Sequence, residues 1–288
     1  MFTRCVLPAL VLSLSAGCSD EVEPEHSHPP LSLELPFEAR VGAEVFSCGA
    51  SYQGLGTSAT SYAPADFRLY VHDLRLVTGA GAEVALEVAN DGEWQRDGVV
   101  LLDFADGSGQ CETATAGTHT AVAASAPGGH YRGLRFRVGV PEALNHADVS
   151  TAAAPLADPG LYWGWRSGYL FTRIDGKTSG QPAGYPMHLG STDCLPPAEG
   201  QGAGACAREN RPEIDLRLFN PEGGKVVLDL AALFADTDLN ADADVPNTAV
   251  GCMSQQEDPD CAPLFARLGL GFGDAPPAPA AQTFFRAE

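Results

Sequence analysis

Two stretches, "LSLELPFEARV" (31–41) and "FRLYVHDLRLV" (67–77), alternate apolar and polar residues at period two. That period puts every second side chain on one face of a strand, so each stretch reads as a β-strand with one buried face. Further strand-like runs follow: "EVALEVA", "GVVLLDF", "YRGLRFRVGV", "GLYWGWRSGYLFTRIDG", "IDLRLF" and "KVVLDL". Turn-forming segments such as "ANDG" and "APGGHYRG" separate them. Only "DLAALFAD" and "DCAPLFARLGL" read as helical, and both are short. Strands do not alternate with long helices, which excludes a doubly wound or barrel pattern. The expected fold is all-β: a disulfide-stabilised antiparallel β-sandwich with long loops and one or two short helices. The longest connection, "PEALNHADVSTAAAPLADPG" (141–160), reads as a loop between strands, where binding sites concentrate on a rigid scaffold.

The start of the chain carries a different message. In "MFTRCVLPALVLSLSAGC" (1–18), Arg4 precedes an apolar run and the small residues Ser15, Ala16 and Gly17 lead to Cys18. This is a secretory signal, too short for a stable membrane span. Its ending is similar to a bacterial lipobox, with Ser15 where that motif carries an aliphatic residue. Lipidation of Cys18 is therefore expected, on a periplasmic or outer-membrane, cell-surface lipoprotein. Residues 19–32 are acidic and proline-rich and read as a tether. Residues 33–288 then form a single β-rich domain.

Of eight cysteines, Cys5 and Cys18 belong to the leader. The even remainder in an exported chain reads as disulfides. Cys194/Cys206 and Cys252/Cys261 are close in sequence and enclose loops rich in Gly, Pro, Asp or Gln, so they are paired locally. Cys48 is paired with Cys111. The absence of C-x-x-C argues against a cysteine-ligated metal.

Charge and motifs narrow the function. A net charge of −20 leaves no basic patch to neutralise phosphates, which excludes nucleic acid as the natural partner and admits cations. The sequence has no G-x-S-x-G, H-E-x-x-H, Walker or dinucleotide-binding pattern. The acids of "NADADVPN" (240–247) lack the Gly and closing Glu of an EF-hand loop and read as a solvated acidic loop. Of seven histidines, His26 and His28 fall in the tether, and His119 and His130 lie beside turns. His72, His146 and His188 stand in denser contexts. Each alone is more often a hydrogen-bonded structural residue than a ligand. His72, followed by Asp73 inside an alternating strand, suits a supporting role as well as a ligating one.

The chain resembles the MbnP family, exported copper-binding proteins encoded beside MauG-like diheme proteins and also known as metallo-mystery-pair four-Cys proteins. The resemblance spans roughly 33–272. It is carried by "YQGLGTSATSYAPADFRLYVHDLRLV", "GVVLLDFADGSGQC", "VGVPEALNHAD", "LYWGWRSGYLFTRIDG", "HLGSTDC" and "GCMSQQEDPDCAPLFARLGL", in the family's order. The Cys194/Cys206 and Cys252/Cys261 pairs resemble its four-cysteine motif.

The resemblance implies that a diheme partner opens a tryptophan to kynurenine, and that this residue helps bind copper. Indole Nε1–H only donates, whereas the ring-opened aniline-type amine can act as a nitrogen ligand. Imidazoles supply the remaining donors. Trp163 or Trp165 is the residue to be modified. As one strand, 162–170 would point both to the same face. His146 and His188 are the first candidates for ligands, with His72 third. Met253 is a soft donor that more often packs, and Trp94 reads as surface or hairpin packing. The protein itself is expected not to be an enzyme. The competing reading is a structural lipoprotein domain that binds a protein partner through its acidic surface. A copper oxidoreductase is disfavoured by the lack of a second redox cofactor.

Overall fold

The computed structural model describes residues 28–112, 117–195, 205–243 and 245–288. The leader, Cys18 and most of the tether lie outside the described residues. The first described strand is Leu31–Val41.

Two large sheets carry the chain. The smaller is built around Leu31–Val41, whose inward positions Leu33, Leu35, Phe37, Ala39 and Val41 are all buried, as its alternation predicts. It pairs antiparallel with Ala121–Ala126 on one side and parallel with Val226–Asp229 on the other. The parallel pair departs from the purely antiparallel expectation. "KVVLDL" is apolar in continuous run, and Val226–Asp229 is buried throughout, so no alternation marks its direction.

The larger sheet is organised by Thr60–Thr78. Its first half pairs with Gly168–Thr178 and its second half with Tyr131–Val138. Gly168–Thr178 pairs in turn with Tyr185–Gly190. The sheets meet through aromatic side chains, with Phe37 5.6 Å from Phe136, and Phe136 5.3 Å from Phe285. All three expected disulfides are formed: Cys48–Cys111, Cys194–Cys206 and Cys252–Cys261.

Both expected helices exist, as Leu230–Leu233 and Cys261–Arg267. The first is capped by Asp229, which accepts from the backbone N–H groups of Ala231 and Ala232. A further single turn, Glu142–Asn145, opens the long loop.

The central strand departs from simple alternation in a way that positions the site. Residues 67–72 are buried on both faces. Phe67, which touches Phe46 and Phe284, faces the sandwich core. Arg68, Tyr70 and His72 occupy the other face, and the 141–160 loop covers it. Tyr70 Oη donates to Pro155 O at 2.9 Å, and Arg68 pairs with Asp158 at 2.6 Å. Asp73, at φ +54°, marks the bulge that ends this doubly buried stretch.

Candidate metal centre

Three neighbouring strands place Arg68, Arg173 and His188 side by side, with Asp66, Asp175 and Pro186 in the next row. Arg68 grips Asp66 with two hydrogen bonds of 2.8 and 2.6 Å. Arg173 Nε lies 3.2 Å from Asp66 and 2.8 Å from Asp175 Oδ2. Asp175 Oδ1 receives His188 Nε2 at 2.7 Å. A chain of alternating charge thus crosses the sheet and ends on an imidazole. Burial pushes the Asp175 carboxyl up, but the hydrogen bond from His188 and the charge and hydrogen bond of Arg173 outweigh it, so the net shift is downward. An ionised Asp175 fixes the His188 proton on Nε2 and leaves Nδ1 as the nitrogen with a lone pair. A carboxylate behind an imidazole in this way is the usual support of a metal-binding histidine.

His188 lines a cavity of about 510 Å³ together with Met253, Asp175 and Tyr185. An adjoining cavity of about 450 Å³ is lined by Trp163, Thr192, Met253 and Gln255. Met253 and Ala249 belong to both walls. The Met253 segment is held against the His188 strand. His188 N donates to Cys252 O at 2.8 Å, and Cys252 N donates to Pro186 O at 3.0 Å. Ser254 Oγ accepts from Gly190 N and donates to His188 O.

Trp163 meets the His188 strand at Gly190. A Cβ at Gly190 would stand 2.5 Å from the Trp163 ring, so the indole occupies the space a side chain would take. Gly190 and His188 are two residues apart on one strand and share its face.

The two tryptophans do not share a face, contrary to the single-strand expectation for 162–170. Tyr162–Gly164 and Gly168–Thr178 form a tight hairpin, with Trp165 in its turn and Gly164 and Gly168 at φ +143° and +79°. Trp165 is consequently 53% exposed, with the Arg166 guanidinium 5.6 Å from its ring centre. Tyr169 and Phe171 explain the remaining aromatic crowding, since both are fully buried.

His146, His188 and His72 do not form one cluster. Among the described residues, the one trio of His, Cys, Asp or Glu ligand atoms mutually within 4.8 Å is His146 with Cys194 and Cys206. Those sulfurs are bonded to each other, so they are not free thiolates for a metal. His146 donates from Nδ1 to Trp165 O at 3.0 Å, which turns Nε2 towards Cys206 Sγ at 3.5 Å. His72 is 7% exposed and bonds through Nδ1 to Gly139 O at 2.8 Å. Burial, with the Arg211 and Arg137 charges adding to it, holds its pKa down despite that hydrogen bond. These contacts give His72 a structural setting under the long loop.

Elsewhere, Trp94 stacks on His119 at 5.5 Å between ring centres, and His119 is half-buried. Sequence reasoning missed Asp175. Its signal was the Arg–x–Asp alternation of "TRIDG", which becomes meaningful only when the strand register sets it beside His188.

The MbnP family model matches residues 30–254. The chain belongs to the MbnP family. A solved structure, MbnP from Methylosinus trichosporium, is 31% identical. That match covers 90% of this chain and 98% of that one, with a TM-score of 0.79. A search of curated proteins returned no match. Within the MbnP fold, the face carrying Asp175, His188 and Trp163 is the outer face of the larger sheet, edged by the Cys252–Cys261 loop.

Proposed function

We propose that this MbnP-family chain is an exported, non-catalytic copper-binding protein whose metal is held by His188 and a kynurenine formed from Trp163. The observation that carries this reading is the seating of the Trp163 ring on Gly190, two residues from an imidazole anchored by Asp175. The donor set fits copper in chemistry. His188 retains a lone pair on Nδ1, ring opening supplies an amine nitrogen, and the Met253 thioether lines both cavities. Imidazole nitrogen and thioether sulfur are donors that favour copper. Intact indole has no lone pair to give, so the unmodified chain has an incomplete site.

A MauG-like diheme protein is the proposed oxidant of the tryptophan. The exposed Trp165, at the tip of the same hairpin, is suited to receive the partner and relay an electron hole to Trp163. The leader and Cys18 support an address in the periplasm or on the cell surface, with a lipid anchor.

A second assignment within this reading uses Trp165 and His146, favoured by the 3.0 Å hydrogen bond from His146 Nδ1 to the Trp165 backbone carbonyl. Trp163→Phe and Trp165→Phe, each produced with the diheme partner and titrated with copper under a spectral scan, separate the two. The proposal expects Trp163→Phe to lose tight binding with an unchanged circular dichroism spectrum, and Trp165→Phe to retain it once modified. Tight binding by Trp163→Phe and its loss in Trp165→Phe would move the site to His146. Binding as tight as that of the modified parent in both variants would exclude kynurenine as a ligand.

A further inference from the structure

The His146, Cys194 and Cys206 ligand atoms, mutually within 4.8 Å, are closed to a metal only while the two sulfurs are bonded. The scaffold around them does not depend on that bond. Thr192–Cys194 and Cys206–Arg208 form a two-stranded antiparallel ladder in which Cys194 faces Cys206 and Thr192 faces Arg208. Leu195 N donates to Ala205 O at 3.2 Å. Ser191 Oγ donates to Glu209 O, and Asn210 Nδ2 to Gly190 O, each at 2.9 Å, which ties the ladder to the His188 strand. Backbone pairing therefore keeps the two sulfurs opposite each other when the bond is opened.

His146 is oriented independently. Its Nδ1 donates to Trp165 O at 3.0 Å, so Nε2 carries the lone pair. That lone pair faces Cys206 Sγ at 3.5 Å. Its other neighbours are Asn145 Nδ2 at 3.4 Å, a long contact, and Glu142 Oε1 at 4.0 Å. Zinc holds sulfur at about 2.3 Å and imidazole nitrogen at about 2.0–2.1 Å in a tetrahedron, which sets sulfur and nitrogen about 3.6 Å apart. The spacing of His146 and Cys206 already matches. The remaining adjustment is the parting of the two sulfurs to about 3.8 Å, which breaking their bond permits.

We propose that the dithiol form of this chain binds one thiophilic d10 cation of the zinc class through Cys194, Cys206 and His146, with water in the fourth position. Opening the site takes a dithiol reductant. Its thiolate attacks Cys194, which is half-buried where Cys206 is buried, and expels Cys206, whose sulfur takes up a proton. The second reductant thiol then releases Cys194 as a thiol and closes a disulfide on the reductant. Two electrons and two protons pass to the protein, and metal binding sends both protons to solvent. Once bound, the cation joins the ladder to the 141–160 loop and, through the Trp165 carbonyl, to the tryptophan hairpin. This site does not depend on copper binding at His188.

The test uses full mature protein produced without the diheme partner, titrated with zinc before and after limited reduction by a phosphine. Alkylation and peptide mapping identify the opened cysteines. Cys48–Cys111 and Cys252–Cys261 are buried at both ends, so Cys194–Cys206 should open first. The expected result is one additional zinc per chain after reduction, with about two protons released. Cobalt in its place should give thiolate-to-metal charge-transfer absorption that zinc abolishes. His146→Asn removes the ligand nitrogen while its amide can still donate to Trp165 O. When reduced, it should bind zinc at least about tenfold more weakly, with an unchanged circular dichroism spectrum. Cys194→Ser/Cys206→Ser should take up no additional zinc under the same treatment. The proposal would be overturned by a reduced parent that gains no zinc, or by either variant binding like the reduced parent. It would equally be overturned by a Cys194–Cys206 bond that opens only when the chain unfolds.

Discussion

Asp175→Asn tests how the charge chain prepares His188. The substitution keeps shape and removes charge. Arg173 Nε, 2.8 Å from Oδ2, can only donate, so it retains the amide oxygen. The amide NH2 then faces His188 Nε2, where Oδ1 now stands at 2.7 Å. Two donors cannot share that contact, so the imidazole must move its proton to Nδ1. The nitrogen meant for the metal becomes a donor. The same wrong-tautomer logic governs the loss of an aspartate behind a catalytic histidine. Loss of such a supporting carboxylate costs about 10–100-fold in metal affinity, or about 1.4–2.8 kcal/mol. The assay is an anaerobic competition titration of copper(I) against a chromogenic chelator, on kynurenine-containing protein. Arg173 keeps Asp66 as a partner at 3.2 Å, so the fold should persist, as circular dichroism would check. A folded Asp175→Asn that binds copper as tightly as the parent would refute the tautomer argument.

Three other outcomes follow from particular contacts. Gly190→Ala puts a Cβ 2.5 Å from the Trp163 ring; the forced repacking should cost about 1–3 kcal/mol, visible in urea unfolding and in altered tryptophan fluorescence. Opening Cys48–Cys111, with a sequence separation of 63, should cost about 4 kcal/mol, and opening Cys252–Cys261, with a separation of 9, about 3 kcal/mol, on loop-closure entropy; equal losses in denaturant melts would contradict that ordering. Burial raises Asp258 from 3.8 to about 6, so the folded chain holds a proton that the unfolded chain releases, and this group's contribution should fall as pH rises between those values. Asp258→Asn should remove that component of the pH-stability curve.

The strands were legible because one buried face leaves a period-two imprint, and Leu31–Val41 carries that imprint without a break. Val226–Asp229 left no such imprint and its parallel pairing was not readable, since both faces are buried. Cys194–Cys206 and Cys252–Cys261 followed from short loops and compartment, and Cys48–Cys111 was the pair that remained. Of the site, the residue types were legible but their grouping was not. His72, His146 and His188 look alike in sequence, and only the register of Gly168–Thr178 with Tyr185–Gly190 sets a carboxylate behind His188. The split between Trp163 and Trp165 depends on Gly164 and Gly168 closing a hairpin within an aromatic run that reads as one strand. The burial of Asp258 comes from tertiary packing around the Cys252–Cys261 loop, which local charge density does not reveal.

The central claim is that oxidation of Trp163 completes a copper site. Its most direct test is the intact mass and peptide map of the protein produced with and without the diheme partner, each form then titrated with copper(I). The account predicts that only the co-produced protein gains one oxygen and loses one carbon, that the change maps to Trp163, and that tight copper binding accompanies it. Equally tight binding by protein with every tryptophan intact would contradict the account.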